Sequence, residues 1–249
     1  AFKNPLSFRY LDDNFIESDA VKIGKTFMDY LKKTKDPRIH VYCSLKDGNT
    51  EFDKQFGLPN GYDSHTIADA PSGSFVGLEN TSNFNINTIL RLDAPTIFLM
   101  PSETKLLLAE AVLRNWTNGN AEVLYKEAIT SSMKEQEIAY GTQGKITDEE
   151  IETYLAQNLL STANNTEKLQ IIGEQYWVAT FINGYESYAN WRRTGYPKLI
   201  PTNYSGSMSP GVIPTRLPYP TDEYSINRAN VDTACLLYTS DAADDLTRV

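Results

Sequence analysis

Apolar positions recur at helical spacing through the second half of this chain, and lose that order through much of the first. Leu106, Leu107, Ala109, Ala111, Val112 and Leu113 form a wide stripe, which predicts a helix over 103–116 capped by Ser102. Thr117-Asn-Gly-Asn120 is a short turn, and a second helix is predicted over 121–136 with Val123, Leu124, Ala128, Ile129 and Met133 inward. Two such helices across a tight turn make an antiparallel hairpin about one tetratricopeptide repeat long. Thr147-Asp-Glu-Glu150 is a capping box that opens a third helix to about Gln157. Asn164 and Asn165 precede the longest expected helix, roughly 166–191. One face carries Leu169, Ile172, Tyr176, Ala179 and Asn183, widened by Trp177, Phe181, Tyr185 and Tyr188, so it is expected to be largely buried.

Ahead of these, Ser18-Asp19 opens a helical pattern to about Lys33 with Val21, Phe27, Met28 and Leu31 apolar, and Asp36-Pro37 ends it. Arg38 to Cys43 alternates and is β-branched, which predicts a strand, followed by a turn at Lys46-Asp-Gly-Asn49. Residues 50–88 show little periodicity and are rich in Gly, Asn, Ser and Asp. Phe52, Phe56, Tyr62, Phe75 and Phe84 stand isolated among them. A connection of that length in a compact domain is functional or disordered. Beyond Gly195 the prolines predict irregular or edge-strand structure.

At 249 residues the chain has ample material for a core, and no apolar run reaches the roughly 18 residues of a membrane span. Its net charge of −9 excludes a nucleic-acid partner, which needs clustered Lys and Arg, and disfavours an anionic membrane surface. A neutral ligand or a protein partner fits better. No cofactor motif is present: the chain has no Gly-rich phosphate loop and no Gly-x-Ser-x-Gly elbow. His40 and His65 are the only histidines and neither has a partner at metal-ligand spacing, so no metal site is expected. His40 is expected to pack in or beside a strand.

Three patterns could carry chemistry. Ser102-Glu-Thr-Lys105 matches Ser-x-x-Lys, but its Ser-Asp-Asn and Lys-Thr-Gly companions are absent, which leaves a helix cap and a surface lysine. Asp148, Glu149, Glu150 and Glu152 could serve a glycosidase, yet acids in a first helical turn are accounted for by the helix dipole. The aromatic-rich loop is the third. Sugar rings stack their C–H faces on aromatic planes while Asn, Asp and Arg hold the hydroxyls, so Phe56, Tyr62, His65, Phe75 and Phe84 are candidate ligand contacts, with Trp116 at the hairpin tip. Arg192 and Arg193 close the long helix and read as structural anchors, with Glu186, Asp222 or Glu223 as partners.

Several short motifs in order carry a resemblance. They are Leu108-Ala-Glu-Ala-Val-Leu-Arg114, Gly119, Tyr125-Lys-Glu-Ala-Ile-Thr-Ser-Ser-Met133 and Glu174-Gln-Tyr-Trp-Val-Ala179, with a weaker match at Asp36-Pro37-Arg38. The signature block follows: Trp191, Arg192, Arg193, Gly195, Tyr196 and Pro197, then Arg216, Tyr219, Pro220, Glu223 and Asn227. In order and spacing they resemble the SusD/RagB family. The resemblance implies a mainly α fold in which tetratricopeptide-like hairpins carry irregular segments and a few short strands. It implies a lipid-anchored protein at the outer-membrane surface, a SusC-like TonB-dependent transporter as partner, an oligosaccharide or other nutrient as ligand, and no catalysis. Family members are about twice this length, so residues 1–234 are expected to be the C-terminal half of the fold, without the lipid anchor.

Cys235-Leu-Leu-Tyr-Thr-Ser-Asp-Ala-Ala-Asp-Asp245 resembles a translated sequencing-library adapter, so 235–249 is expected to be a non-native tail. Setting aside Arg248, Asp241, Asp244 and Asp245 brings the charge to −7 and leaves Cys43, expected as a buried strand thiol, as the one natural cysteine. A protein-binding repeat scaffold, or a hydrolase using the acidic cluster, are the alternatives. A scaffold would show a broad concave surface, and a hydrolase an acid pair facing a cleft.

Overall fold

The computed structural model describes residue 4 and residues 22–62, 66–71, 73–160, 162–201, 211–213 and 219–236, with side chains to 233. Within these the chain is mainly helical, as expected. The elements are α1 (Lys25–Thr34), α2 (Ile39–Tyr42), β1 (Cys43–Ser44), β2 (Asn83–Phe84), α3 (Pro101–Leu113), α4 (Ala121–Tyr140), α5 (Asp148–Gln157), α6 (Asn165–Ala179), α7 (Gly184–Thr194), α8 (Thr221–Ile226) and α9 (Arg228–Leu236). α3 and α4 form the expected hairpin, and α6 packs across both. Their shared interior holds Leu106, Ala109, Tyr125, Ala128, Ile129, Met133, Ile172 and Val178.

The caps explain most helix boundaries. Thr147 and Glu150 exchange bonds as a capping box: Thr147 N–H donates to the Glu150 carboxylate at 2.8 Å, and Glu150 N–H donates to Thr147 Oγ1 at 3.3 Å. Asn164 and Glu167 do the same for α6, and Asn120 Oδ1 accepts from Val123 N–H at 3.2 Å to start α4. Ser18 and Asp19 lie outside the described residues, but the helix expected from them is corrected over 22–24: Ile23 N–H donates to the Ser82 carbonyl and Gly24 bridges to Leu58 in extended form, so α1 begins only at Lys25. It ends when Lys35 turns left-handed at φ 53° and Asp36 N–H donates to the Leu31 carbonyl at 2.8 Å.

Several expectations are corrected. The segment 39–42 is a helical turn, and only Cys43–Ser44 is strand, paired antiparallel to Phe84 and Asn83. Local β propensity loses to a buried ion pair: Arg38 folds back on Asp36, and Tyr42 N–H donates to the Arg38 carbonyl at 2.9 Å. His40 accordingly sits in that turn, with Nε2 3.3 Å from the Lys145 carbonyl. Ser102 lies inside α3. Met100 caps that helix with its N–H donated to Glu103 at 2.9 Å, while Ser102 donates through N–H and hydroxyl to Glu135. The predicted helix over 166–191 is two helices. Thr180 Oγ1 bonds back to the Tyr176 carbonyl at 2.8 Å and to Ser187 Oγ at 2.7 Å, and Asn183 caps α7. This break also leaves Tyr185 92% exposed, and the 20-residue α4 is longer than either piece. Val123, at 49%, and Leu107, at 42%, face outward as well. Finally, the expected irregular end contains α8 and α9, and α9 runs past residue 235 to Leu236.

An aromatic cluster fastens the irregular first half to the helices. The Phe181 ring, at the α6–α7 break, stacks on Phe27 at 4.3 Å and on Tyr42 at 4.9 Å, and lies 5.5 Å from Phe84. Trp177 meets Phe27 edge-on at 5.0 Å. Cys43 is fully buried, and burial pushes its thiol pKa up.

Candidate functional site

The loop after β1 is irregular but pinned at many points. Asn49 N–H donates to Asp47 Oδ1, and Glu51 N–H donates to Asn49 Oδ1. Phe52–Lys54 then make one 3-10 turn. Gln55 is fully buried beneath it. Its Nε2 donates to the carbonyls of Asn49 and Glu51 at 2.9 and 3.3 Å, and its Oε1 accepts from Ser82 Oγ at 2.8 Å. The Phe56 N–H donates to the same Ser82 hydroxyl at 3.0 Å. Gly57 lies so close to α1 that an added Cβ would come within 2.4 Å of Lys25 Cα. Lys25 N–H and Leu58 N–H complete the seam, donating to Leu58 and Ile23 carbonyls at 2.7 Å each. A short polar stretch is thereby held as firmly as a strand.

This stretch presents two phenylalanines. Phe56 is 39% exposed, with Lys32 Nζ 4.2 Å above its ring and donating to the Asp53 carbonyl at 3.3 Å. Phe52 is half-buried and lines an open groove of about 450 Å³ between the loop and α5. Its other walls are Lys35, Pro37, Glu149, Glu150, Thr153, Tyr154 and Gln157. Ring planes beside carboxylates, a hydroxyl, an amide and an ammonium are the donor and acceptor set that a polyhydroxylated ligand needs, and the volume falls in the range of small-molecule sites.

The floor of the groove is fixed by a fully buried polar network. Arg38 donates through Nε to Asp36 Oδ1 at 2.9 Å and through one terminal nitrogen to Asp36 Oδ2 at 2.5 Å. It also reaches Ser132 Oγ at 2.9 Å and Gln175 Oε1 at 2.8 Å. Gln175 Nε2 donates to the Tyr154 and Tyr30 hydroxyls at 2.7 and 3.0 Å. α1, α2, α4, α5 and α6 are thus joined through Arg38 and Gln175. Burial disfavours the Arg38 charge, but the Asp36 carboxylate outweighs it and raises the Arg38 pKa.

The acidic cluster has a structural account. Asp148 pairs with Lys134 at 2.7 Å, and this bond lowers its pKa. Burial raises Glu150, but the Thr147 N–H and hydroxyl outweigh it and hold that carboxyl below the ordinary range. A glycosidase acid requires the opposite shift. Ser102, bonded to Glu135 and buried, is equally unsuited to attack a substrate.

The candidate aromatics separate. Phe56 is exposed on the same loop as Phe52 but is not among the groove's lining residues, whereas Phe84 is packed into the core cluster against Phe181. Tyr62 and Phe75 are half-buried, and His65 lies outside the described residues. Trp116 is 71% exposed on the far hairpin tip, with the Arg114 guanidinium 5.3 Å from its ring. Phe52 was legible as an aromatic of the loop, but its partners on α5 are about a hundred residues away and nothing local announces them.

The signature block fastens helices. Arg193 makes a two-pronged pair with Glu110 of α3 at 2.6 and 2.7 Å and donates to Asn190 Oδ1 at 2.8 Å, so its partner is none of the three acids expected. Arg192 is exposed, and Trp191 stacks on Tyr188 at 5.9 Å. Gly195 ends α7 at φ 72°, and the Tyr196–Pro197 bond is cis. Tyr196 lies on Gly173 of α6, where an added Cβ would come within 2.7 Å of it. Tyr219 is half-buried, Pro220 caps α8, Glu223 is exposed on α8, and Asn227 joins α8 to α9. Arg216 lies outside the described residues.

Residues 2–220 match the family described as "SusD-like_2: Starch-binding associating with outer membrane". The chain belongs to the SusD-like family. Solved structures agree. A chitin-binding protein matches at TM-score 0.69 and 28% identity over 96% of this chain and 51% of its own. A SusD-like protein described as Bacteroidetes AC2a matches at TM-score 0.73 and 23% identity over 93% and 54%. A SusD homolog from Bacteroides fragilis NCTC 9343 matches at TM-score 0.63 and 25% identity over 86% and 48%. No curated protein matches the chain. This SusD-like chain therefore spans about half the length of the structures it resembles. Among the described residues, no helix is long and apolar enough to cross a membrane.

Proposed function

We propose that this chain is part of a non-catalytic glycan-binding protein of the outer-membrane surface, and that the 49–58 loop and α5 hold the sugar. In this reading the protein is lipid-anchored and passes captured oligosaccharides to a SusC-like TonB-dependent transporter. Residues 1–234 represent the C-terminal half of the fold, and 235–249 are an adapter-derived tail. The membership of the chain in a family described as starch-binding and outer-membrane-associated carries the proposal. The chitin-binding neighbour and the aromatic-edged groove add to it. Within the groove, Phe52 supplies a stacking plane, Phe56 offers a second exposed ring on the same loop, and Glu149, Thr153, Gln157 and Lys35 supply hydroxyl partners.

Affinity electrophoresis against soluble polysaccharides, with product analysis of the same samples, tests the function. Retardation by one glycan without shortened products is the expected result. Shortened products would make the protein a hydrolase, and no retardation by any glycan would favour the protein-binding scaffold.

A further inference from the structure

A second cavity lies on another face, where α3, α4 and the α6–α7 break converge. It encloses about 20 Å³, and its walls include Glu103, Gln136, Tyr140 and Asn183. Glu103 is only 2% exposed. One of its oxygens accepts the Met100 N–H, while Oε2 is buried without a hydrogen-bond partner. Leaving a buried carboxylate oxygen unpaired costs more than leaving a neutral one so. The surroundings deepen the imbalance. Burial and the nearby charges of Glu186 and Glu135 push the Glu103 pKa up, opposed by the Met100 N–H and by the neighbouring Tyr176 hydroxyl, whose single proton is directed to Glu186 at 3.4 Å and so leaves Oε2 unpaired. Among the described residues, no ion pair joins Glu103, Glu135 or Glu186 to a cation; Arg193 is turned to Glu110.

The size of the cavity selects the missing partner. It has room for one group the size of a water molecule. An ammonium fits and a planar guanidinium does not. No cluster of three metal-binding side chains exists among the described residues, which disfavours a divalent ion. The more exposed of its lining residues include the apolar Ile97, Met100 and Ile182, which suits a methylene stem.

We propose that this cavity receives a primary ammonium group on an unbranched stem, the chemistry of a lysine side chain, with Glu103 as its counter-ion. The lysine comes either from a separate partner or from the half of the family fold that this chain does not span.

The test is thermal unfolding at pH 8 with n-butylammonium chloride, using tetramethylammonium chloride as the control. Wild-type protein should show a saturable rise of about 3–5 °C at ten times the apparent Kd, and tetramethylammonium should give none. Glu103→Gln keeps the acceptor for Met100 and removes the unpaired charge. It should melt higher than wild type without ligand and no longer respond to butylammonium. No response in wild type, or an equal response in Glu103→Gln, would overturn the proposal and leave the cavity to water. A chain extended to the full family length separates the sources. If it no longer responds to butylammonium and is destabilised by Glu103→Gln, the lysine is its own; if it responds as this chain does, the lysine belongs to a partner.

Discussion

Replacing Asp36 with Ala should be among the most destabilising single changes available in this chain. The Asp36 and Arg38 side chains are both fully buried and share two hydrogen bonds. With the carboxylate gone, the guanidinium keeps Ser132 and Gln175 as neutral acceptors but has no counter-charge in a site that water does not reach. Stranding one member of a buried pair costs about 3–5 kcal/mol. For a chain of this size that lowers Tm by about 6–20 °C. Removing both charges together, as Asp36→Leu with Arg38→Met, leaves the Ser132 hydroxyl and the Gln175 amide short of a donor and the residue-38 N–H short of an acceptor, at about 1–3 kcal/mol each. The double variant should therefore cost less than the sum of the two single changes by about 3 kcal/mol. Thermal and urea unfolding followed by circular dichroism measure Asp36→Ala, Asp36→Leu, Arg38→Met and the double variant. A cost below about 1 kcal/mol for Asp36→Ala, or additive single changes, would refute the view that the Asp36–Arg38–Gln175 network joins these five helices.

Gly57→Ala forces a methyl into the α1 backbone; it should cost about 1–3 kcal/mol and weaken glycan binding in parallel, read from melting and binding on the same samples. The Glu110 carboxyl is held below the ordinary range because Arg193 and Arg114 outweigh the opposing effect of burial. Its folded form thus binds fewer protons than its unfolded form, so its contribution is complete above the ordinary carboxylate range and is lost as pH falls below about 4. Arg193→Gln should flatten that acid limb in a series of melts from pH 3 to 7, and an unchanged limb would contradict the pairing. In a Cys235→Ser background, the buried Cys43 should resist a thiol reagent in the native state and react only on unfolding, and fast native labelling would show that β1 is not closed.

The helical part of this fold was legible because its signals are local. Thr147 to Glu150, Asn164 to Glu167 and Asn120 are caps that report on the next turn alone, and the structure places a helix after each. Where long-range contacts decide, local reading failed. Ile39 to Tyr42 looks like a strand until the Asp36–Arg38 pair is known. The break at Thr180 was partly readable, since Asn183-Gly184 is a turn dipeptide, but the apolar stripe through Phe181 and Tyr185 masked it. Around the groove, sequence pointed to the loop that carries Phe52 and Phe56. It did not reveal Gln55 as the buried pin or α5 as the opposite wall, because both depend on partners distant in the chain.

If the 49–58 loop holds a glycan, a binding isotherm compared across two variants will show it. Phe56→Ala should weaken binding of the retained glycan by about tenfold or more, the loss expected when an aromatic face no longer covers a sugar ring, with the melting temperature nearly unchanged. Trp116→Ala, on the far hairpin tip, should bind as wild type does. Unchanged affinity in Phe56→Ala together with lost affinity in Trp116→Ala would contradict the account and move the site to the α3–α4 hairpin.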